Sequence, residues 1–152
     1  MDKITIRAAT LKDIGILLQF EQGVIHAERP FDVTLGADPI TYYDLRQLIR
    51  SEDASLVVAE IEGKIVGSGY ALVKSARHYL NHKYYSYLGF MFTLPAYRGM
   101  GVNTKIIEKL KQWSYAKGLH EIRLTVYDEN HKAIKAYEKV GFKKHIIEMR
   151  LE

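Results

Sequence analysis

The 152-residue sequence contains no cysteine, only three prolines and a single tryptophan. Without cysteine, the chain cannot form disulfides, use a thiolate nucleophile or bind a metal through sulfur. It also has no run of 18 apolar residues, so we expect no transmembrane helix and no membrane partner. With neither disulfides nor a membrane segment, we expect a cytoplasmic protein.

The charge is mildly basic, with 22 lysines and arginines against 18 acidic residues. These basic residues are spread along the chain and form no block, so we expect no nucleic-acid partner. The net charge of +4 suits solubility and an anionic ligand. His78 and His82 have no third ligand at a metal-binding spacing, so we expect no metal site.

Length and hydrophobic patterning predict one domain, residues 1–152, of the α/β class, with a mixed central sheet flanked by helices. The pattern predicts the order β-α-α-β-β-β-α-β-α-β. The predicted strands are 4–7, 55–61, 64–73, 84–94, 121–126 and 144–151. The predicted helices start after Thr10, at Asp38-Pro39, at Val102 and at Asn130.

The stretch 95–104 joins the most apolar strand to a long helix. Gly99 and Gly101 tolerate positive φ and carry no Cβ, so a ligand can approach the backbone closely. The first N–H groups of the helix have no intrahelical acceptor and lie at the positive end of its dipole. With Arg98 beside them, these features predict a phosphate-binding turn.

Two motifs in this region resemble those of the GNAT acetyltransferase superfamily. Arg98-x-x-Gly101-x-Asn103 resembles the superfamily's pyrophosphate loop, Arg/Gln-x-x-Gly-x-Gly/Ala. About thirty residues later, Asn130-x-x-Ala133-x-x-x-Tyr137 resembles its second cofactor motif. The resemblance implies a single-domain GNAT fold and transfer of an acetyl group from acetyl-CoA directly to a primary amine. A small-molecule amine is the first choice of acceptor, and a protein N-terminus or lysine is the second.

The resemblance also implies which residues bind the cofactor. In the superfamily, the strand before the loop binds the pantetheine arm through its backbone, and the loop binds the pyrophosphate. Carried over, the residues expected to bind coenzyme A are Met91, Phe92, Thr93, Arg98, Gly99, Met100, Gly101, Val102, Asn103, Thr104 and Asn130.

Tyr137 is the expected general acid, because it matches the tyrosine of the second motif. A tyrosine with an ordinary pKa near 10 stays protonated at neutral pH and can donate to a departing thiolate. From the pattern alone, Tyr137 falls on the apolar stripe of its helix and would be a core residue. Asn130 likewise reads as a helix N-cap.

Two departures from the superfamily pattern leave alternatives open. Asn103 stands where the superfamily has Gly or Ala, and residues 84–98 contain no carboxylate to act as the base. The base could be a water chain or a side chain from elsewhere. The candidate side chains are Glu28, Glu60, His82 and Asp128. A CoA-binding sensor without turnover is the alternative function. Because dimers are common in the superfamily, a homodimer is one expected assembly.

Overall fold

In a computed structural model, which describes residues 3–152, a five-stranded sheet lies between two layers of helices. The elements are β1 (Ile4–Ala8), α1 (Ile14–Glu28), α2 (Leu45–Arg50), β2 (Ala54–Ile61), β3 (Lys64–Ser75), β4 (Tyr84–Thr93), α3 (Val102–Ala116), β5 (Ile122–Leu124) and α4 (His131–Lys139). Short 3₁₀ turns precede α1, follow it and connect β4 towards α3.

The strands are ordered β1-β2-β3-β4-β5 across the sheet. The first four pair antiparallel with their neighbours, whereas β5 pairs parallel with β4 through the crossover helix α3. The predicted mixed sheet is therefore confirmed. The parallel crossover places the turn after β4 at a strand's carboxyl end, where open sheets bind ligands.

Alternate residues of β2 enter two separate cores. Val57 and Ala59 pack on the side of α3, and Leu56 and Val58 pack on the side of α1. All four are at most 4% exposed. A strand buried on both faces reads as a continuous apolar run, which is the pattern of the sequence there.

Glycines let α3 lie close against β3. A Cβ on Gly67 would be 2.9 Å from a methyl carbon of Val102, and one on Gly69 would be 2.6 Å from a methyl carbon of Ile106. The two glycines therefore leave one face of β3 without side chains where the helix approaches. This packing fixes the start of α3 beside the end of β4.

The second helix begins later than predicted. It starts at Leu45, with the Asp44 side chain accepting the N–H of Gln47 at 3.1 Å, and not at Asp38-Pro39. The Asp38 carboxylate instead pairs with Arg29 at 2.6 Å. Further along this segment, the backbone N–H groups of Tyr42 and Tyr43 donate to the Glu21 side chain of α1. They therefore do not form helical hydrogen bonds.

The final strand predicted at 144–151 is wrong. Residues 143–152 form no strand and are exposed, including Ile147 and Met149. Their alternating pattern is that of a strand, but a strand forms only by pairing along a neighbouring edge, and the outer edge of β5 is only three residues long. The strand predicted at 121–126 is also shorter, because β5 pairs with β4 over only three residues.

Residues 3–152 include no helix that is both long and apolar enough to cross a membrane.

Candidate functional site

The connection from β4 to α3 has the open geometry of an anion-binding turn. Gly99 and Gly101 have φ of +79° and +86°. A Cβ on either would have no described atom within 4 Å, so this backbone faces open space. Gly101 is the N-cap of α3 and no side chain caps it. The N–H groups of the first turn, from Val102 on, are therefore free to bind an anion.

Side chains around this turn leave the helix start accessible. Arg98 is exposed, and its Nε donates to the carbonyl of Thr93 at 3.3 Å, which ties the turn to the end of β4. Met100 and Thr104 are exposed, and Asn103 is half-buried. The guanidinium thus adds positive charge beside the free N–H groups.

A wedge opens between β4 and β5 next to the start of α3. The two strands pair from Ser86 to Leu88 only, so in the described chain the residues 89–93 have no strand on that edge. A bulge accompanies the separation: two residues of β4 oppose one of β3, and Phe90 has φ of +57°. Ser68 Oγ donates to the Phe90 carbonyl at 3.1 Å and holds the bulge.

The predicted arm-binding residues Met91, Phe92 and Thr93 lie along this wedge. Met91 packs in the core beneath α3, while the Phe92 ring packs on the other face, 4.8 Å from the Phe20 ring of α1. With both side chains committed to the cores, β4 can offer its backbone to a ligand on the open edge. Asn130 is an N-cap, as predicted, with Oδ1 accepting the N–H of Ala133 at 3.3 Å.

Tyr137 projects from α4 and is half-buried against Phe142, with ring centroids 6.0 Å apart. Burial, together with the smaller effects of the Glu28 and Tyr87 charges, raises the pKa of Tyr137 to about 12. The phenol therefore stays protonated at neutral pH and is able to donate a proton. Tyr137 can pack against Phe142 and also donate a proton, because the ring makes the packing contact and the hydroxyl carries the proton.

A second group of side chains, which we name the acidic–tyrosine cluster, consists of Glu28, Asp32, Tyr42 and Tyr127. Tyr127 Oη donates to Asp32 Oδ2 at 2.6 Å, across 95 positions of sequence. Tyr42 Oη is buried and has no hydrogen-bond partner among residues 3–152. Burial, followed by the proximity of Glu28, raises the pKa of Tyr42 well above its ordinary value.

Glu28 links this cluster to Tyr137. Burial raises the pKa of its carboxyl, with Tyr42 opposing and the Asp32 charge reinforcing the shift. Its negative charge also raises the pKa of Tyr137. A carboxylate with a raised pKa beside a protonated phenol is a pair suited to proton removal and proton donation.

The other three candidate bases are placed differently. Glu60 is paired with Arg7 at 2.6 Å. His82 precedes β4, whose ten residues span about 30 Å, so it lies at the far end of that strand from the turn. Asp128 is exposed. Of the four candidates, Glu28 is the one whose charge acts on the pKa of Tyr137.

The sequence offers Glu28 as one of four candidate bases, but it does not place Glu28 with Asp32, Tyr42 and Tyr127. Asp32 is separated from Tyr127 by most of the chain, so no local spacing signals their contact. Tyr79 and Tyr84, by contrast, are exposed and lie at or before the first residue of β4. Among residues 3–152, no group of three or more His, Asp and Glu side chains could hold a metal ion.

The sequence profile of the Acetyltransferase (GNAT) family matches residues 22–142 of this chain. The chain belongs to the GNAT acetyltransferase family. The match runs from the second half of α1 through α4, and so it includes the wedge, the glycine turn and the acidic–tyrosine cluster.

Individual GNAT relatives match over different lengths. The thialysine N-epsilon-acetyltransferase of Mus musculus is 42% identical over 55 residues, which is 36% of this chain and 32% of that protein. The chain thus aligns with about a third of that relative's length. The solved BH1408 protein of Bacillus halodurans, a tetramutant, has a TM-score of 0.84 at 20% identity, covering 97% of this chain and 99% of its own.

A predicted acetyltransferase of Clostridium acetobutylicum, solved with acetyl-CoA, has a TM-score of 0.74 at 18% identity and covers 99% and 96% of the two chains. At these identities the solved structures establish the GNAT fold. They also confirm the single mixed sheet flanked by helices that the resemblance implied.

Proposed function

We propose that this protein is an acetyl-CoA-dependent N-acetyltransferase that transfers the acetyl group directly to the primary amine of a small molecule. The observation that carries the proposal is the wedge between β4 and β5, which opens at the uncapped start of α3. The wedge offers an extended backbone edge beside free helix N–H groups, as an elongated ligand with a pyrophosphate requires.

Acetyl-CoA fits the residues around the wedge. The two open glycines leave room for a pyrophosphate against the backbone of residues 98–104, and Arg98 adds charge. The free edge formed by Met91, Phe92 and Thr93 is suited to the amide groups of the pantetheine arm. Half-buried Asn103 leaves the main-chain donors accessible, so its departure from the family pattern is compatible with binding.

Acetyl-CoA supplies the thioester, and the chain handles the protons. In our proposal, Glu28 accepts a proton from the acceptor ammonium, and the free amine attacks the carbonyl carbon. A backbone N–H near Phe92 stabilises the charge that grows on the carbonyl oxygen. As the carbon–sulfur bond breaks, Tyr137 donates its proton to the leaving thiolate, and the nitrogen, which became positively charged in the attack, passes its extra proton through water to the tyrosinate and restores the phenol. No covalent intermediate with the enzyme is needed.

The acidic–tyrosine cluster supports a cationic acceptor. Two carboxylates, Glu28 and Asp32, attract a protonated amine, and the faces of Tyr42 and Tyr127 favour cations. The orphan hydroxyl of Tyr42 offers a further polar partner. The relative named for thialysine, a small amine, adds support. A protein N-terminus or lysine is the second acceptor class, and we propose the cytoplasm as the site of action.

The test measures thiol release from acetyl-CoA by the purified protein. Separate pools contain polyamines, amino acids, aminoglycosides, and peptides with a free N-terminus or lysine. We expect release that depends on a small cationic amine and yields its N-acetyl product by mass spectrometry. Release with peptides alone would mean that the acceptor belongs to the second class, a protein N-terminus or lysine.

A matched calorimetric titration with acetyl-CoA accompanies the assay. Binding without release from any pool would favour the CoA-binding sensor, which the lack of a carboxylate on β4 keeps as the rival function. No binding would overturn the proposed function altogether.

A further inference from the structure

Glu21 of α1 is a fully buried acid that the proposed chemistry does not use. Its side chain is 0% exposed. Oε2 accepts the N–H of Tyr42 at 2.9 Å and that of Tyr43 at 2.8 Å, whereas Oε1 has no hydrogen-bond partner in the described chain. A buried carboxylate rarely lacks a structural or functional role, because its transfer out of water is costly.

The two N–H groups belong to a loop, residues 32–44, that lies between the 3₁₀ turn after α1 and the start of α2. We name it the acceptor loop, because it carries Asp32 and Tyr42 of the acidic–tyrosine cluster. The loop is also joined to α1 and the turn after it by Gln22 Nε2, which donates to the Ile40 carbonyl at 3.0 Å, by half-buried Arg29, which donates to Asp38 at 2.6 Å, and by the Asp32 N–H, which donates to the Arg29 carbonyl at 3.3 Å. The hydrogen bonds to Glu21 attach the loop to α1 through a fully buried side chain.

Glu21 and Glu28 lie on one face of α1, because seven residues are nearly two helical turns. Tyr42 is therefore held by its backbone at Glu21, and its ring reaches towards Glu28, whose charge raises the pKa of the Tyr42 hydroxyl. Tyr43 is fixed next to it, with its ring 4.9 Å from Phe90 of the β4 bulge. One carboxylate thus sets the position of two adjacent tyrosines.

We propose that Glu21 is a positioning residue that latches the acceptor loop to α1 and so sets the affinity for the acceptor amine. The inference rests on the proposed function for its catalytic consequence, but the latch itself is a property of the protein without substrate. Released from Glu21, the loop would sample other positions, and Tyr42 would no longer be held opposite Glu28.

The experiment compares Glu21→Leu, which keeps the side-chain volume and removes the acceptor, with Glu21→Gln, which keeps one neutral oxygen acceptor. Gln22→Ala is the matched control, because it removes an exposed hydrogen bond to the same loop from the next residue. Amide hydrogen exchange at Tyr42 and Tyr43 is measured by NMR, and steady-state kinetics are measured for both substrates.

For Glu21→Leu we expect both amides to exchange at least tenfold faster, the KM for the amine to rise at least fivefold and the KM for acetyl-CoA to stay within twofold. Glu21→Gln should show the same changes at about threefold, since hydrogen bonds to a charged acceptor are stronger. If the leucine variant does not fold, the glutamine variant decides. Gln22→Ala should leave both amides unchanged.

Unchanged exchange at both amides would overturn the latch. Faster exchange with equal rises in the two KM values would overturn its role in acceptor binding. If the wild-type protein transfers no acetyl group to any amine, the proposed function fails, while amide exchange still decides whether Glu21 holds the loop.

Discussion

Gly101 and Gly118 lie at opposite ends of α3 and share nearly the same left-handed backbone, with φ of +86° and +79°. At both positions a Cβ would have no described atom within 4 Å. An alanine at either site would therefore be strained by its backbone and not by a clash. The two glycines differ in location, because Gly101 caps the helix end that faces the wedge.

This relationship gives a matched pair of variants. Gly101→Ala and Gly118→Ala should each cost roughly 1 kcal/mol in the free energy of unfolding, the usual cost of a left-handed alanine. We expect only Gly101→Ala to weaken acetyl-CoA binding, by about tenfold, because its methyl group enters the space proposed for the pyrophosphate. Urea unfolding and calorimetry check the two effects. Equal affinities for the two variants would mean that the turn is not the phosphate site.

Replacing Tyr137 by phenylalanine removes the proposed proton donor and keeps the ring packed against Phe142. We expect kcat to fall about 100-fold or more, within the range for a lost general acid, while the Kd for acetyl-CoA stays within about threefold. Since burial raises the pKa of Tyr137 to about 12, the wild-type rate should show no decline due to this residue up to pH 10.

The control for this substitution is Tyr115→Phe, which changes an exposed tyrosine of α3. It should have wild-type kcat. A rate for Tyr137→Phe equal to that of this control would exclude Tyr137 from the mechanism.

The parts of the fold that the sequence predicts well are those in which one local pattern decides the outcome. The apolar run of β4 followed by glycines and an amphipathic helix identifies the strand, the turn and α3, because each signal is complete within a few residues. The strand predicted at 144–151 has the right alternation, yet pairing depends on a neighbouring edge that is long enough, and β5 offers only three residues. That edge is a property of the assembled sheet and not of the segment.

The candidate site likewise has parts that the sequence predicts and parts that it does not. The motif around Gly101 and the placement of Tyr137 on a helix capped by Asn130 follow from short-range spacing. The contact between Asp32 and Tyr127 does not, since it joins the acceptor loop to the segment after β5 across 95 positions of sequence. Glu28 acquires its raised pKa mainly from burial in the folded protein, so its sequence neighbourhood alone resembles that of an ordinary surface acid.

Glu28→Gln tests the proposed base. Burial and the Asp32 charge place the pKa of Glu28 above its ordinary value, so the wild-type kcat should fall as the pH decreases through that raised pKa. In the variant, the rate should be about 100-fold lower at neutral pH, and this fall should be absent. A pH–rate profile at saturating substrates measures both.

Glu108→Gln, an exposed position on α3, serves as the control for charge and should behave as wild type. If the kcat of Glu28→Gln still falls with decreasing pH as it does in the wild type, another group removes the proton from the amine.

Asp13 links the first strand to α1 through a buried hydrogen-bond network. Arg7 donates from Nη1 and Nη2 to its two carboxylate oxygens at 2.9 and 3.0 Å, and the Thr10 N–H donates to Oδ2 at 2.7 Å. The bond from Arg7 is the largest cause that lowers the pKa of Asp13. The folded protein therefore binds fewer protons here than the unfolded chain does, and the stabilisation is present above the unfolded pKa near 3.9.

Asp13→Asn should reduce the free energy of unfolding by about 2–3 kcal/mol at pH 7, because Arg7 loses a buried charged partner. As the pH falls below about 4, the unfolded wild-type chain takes up a proton at Asp13 before the folded protein does, and the difference between the two proteins should narrow as the pH falls on through the lowered folded pKa. Urea unfolding at pH 7 and pH 3 measures this. Glu152→Gln breaks an exposed ion pair with Arg150 and should change nothing measurable. If Asp13→Asn lowers the free energy of unfolding equally at pH 7 and pH 3, the shape and packing of residue 13 matter, and not its charge.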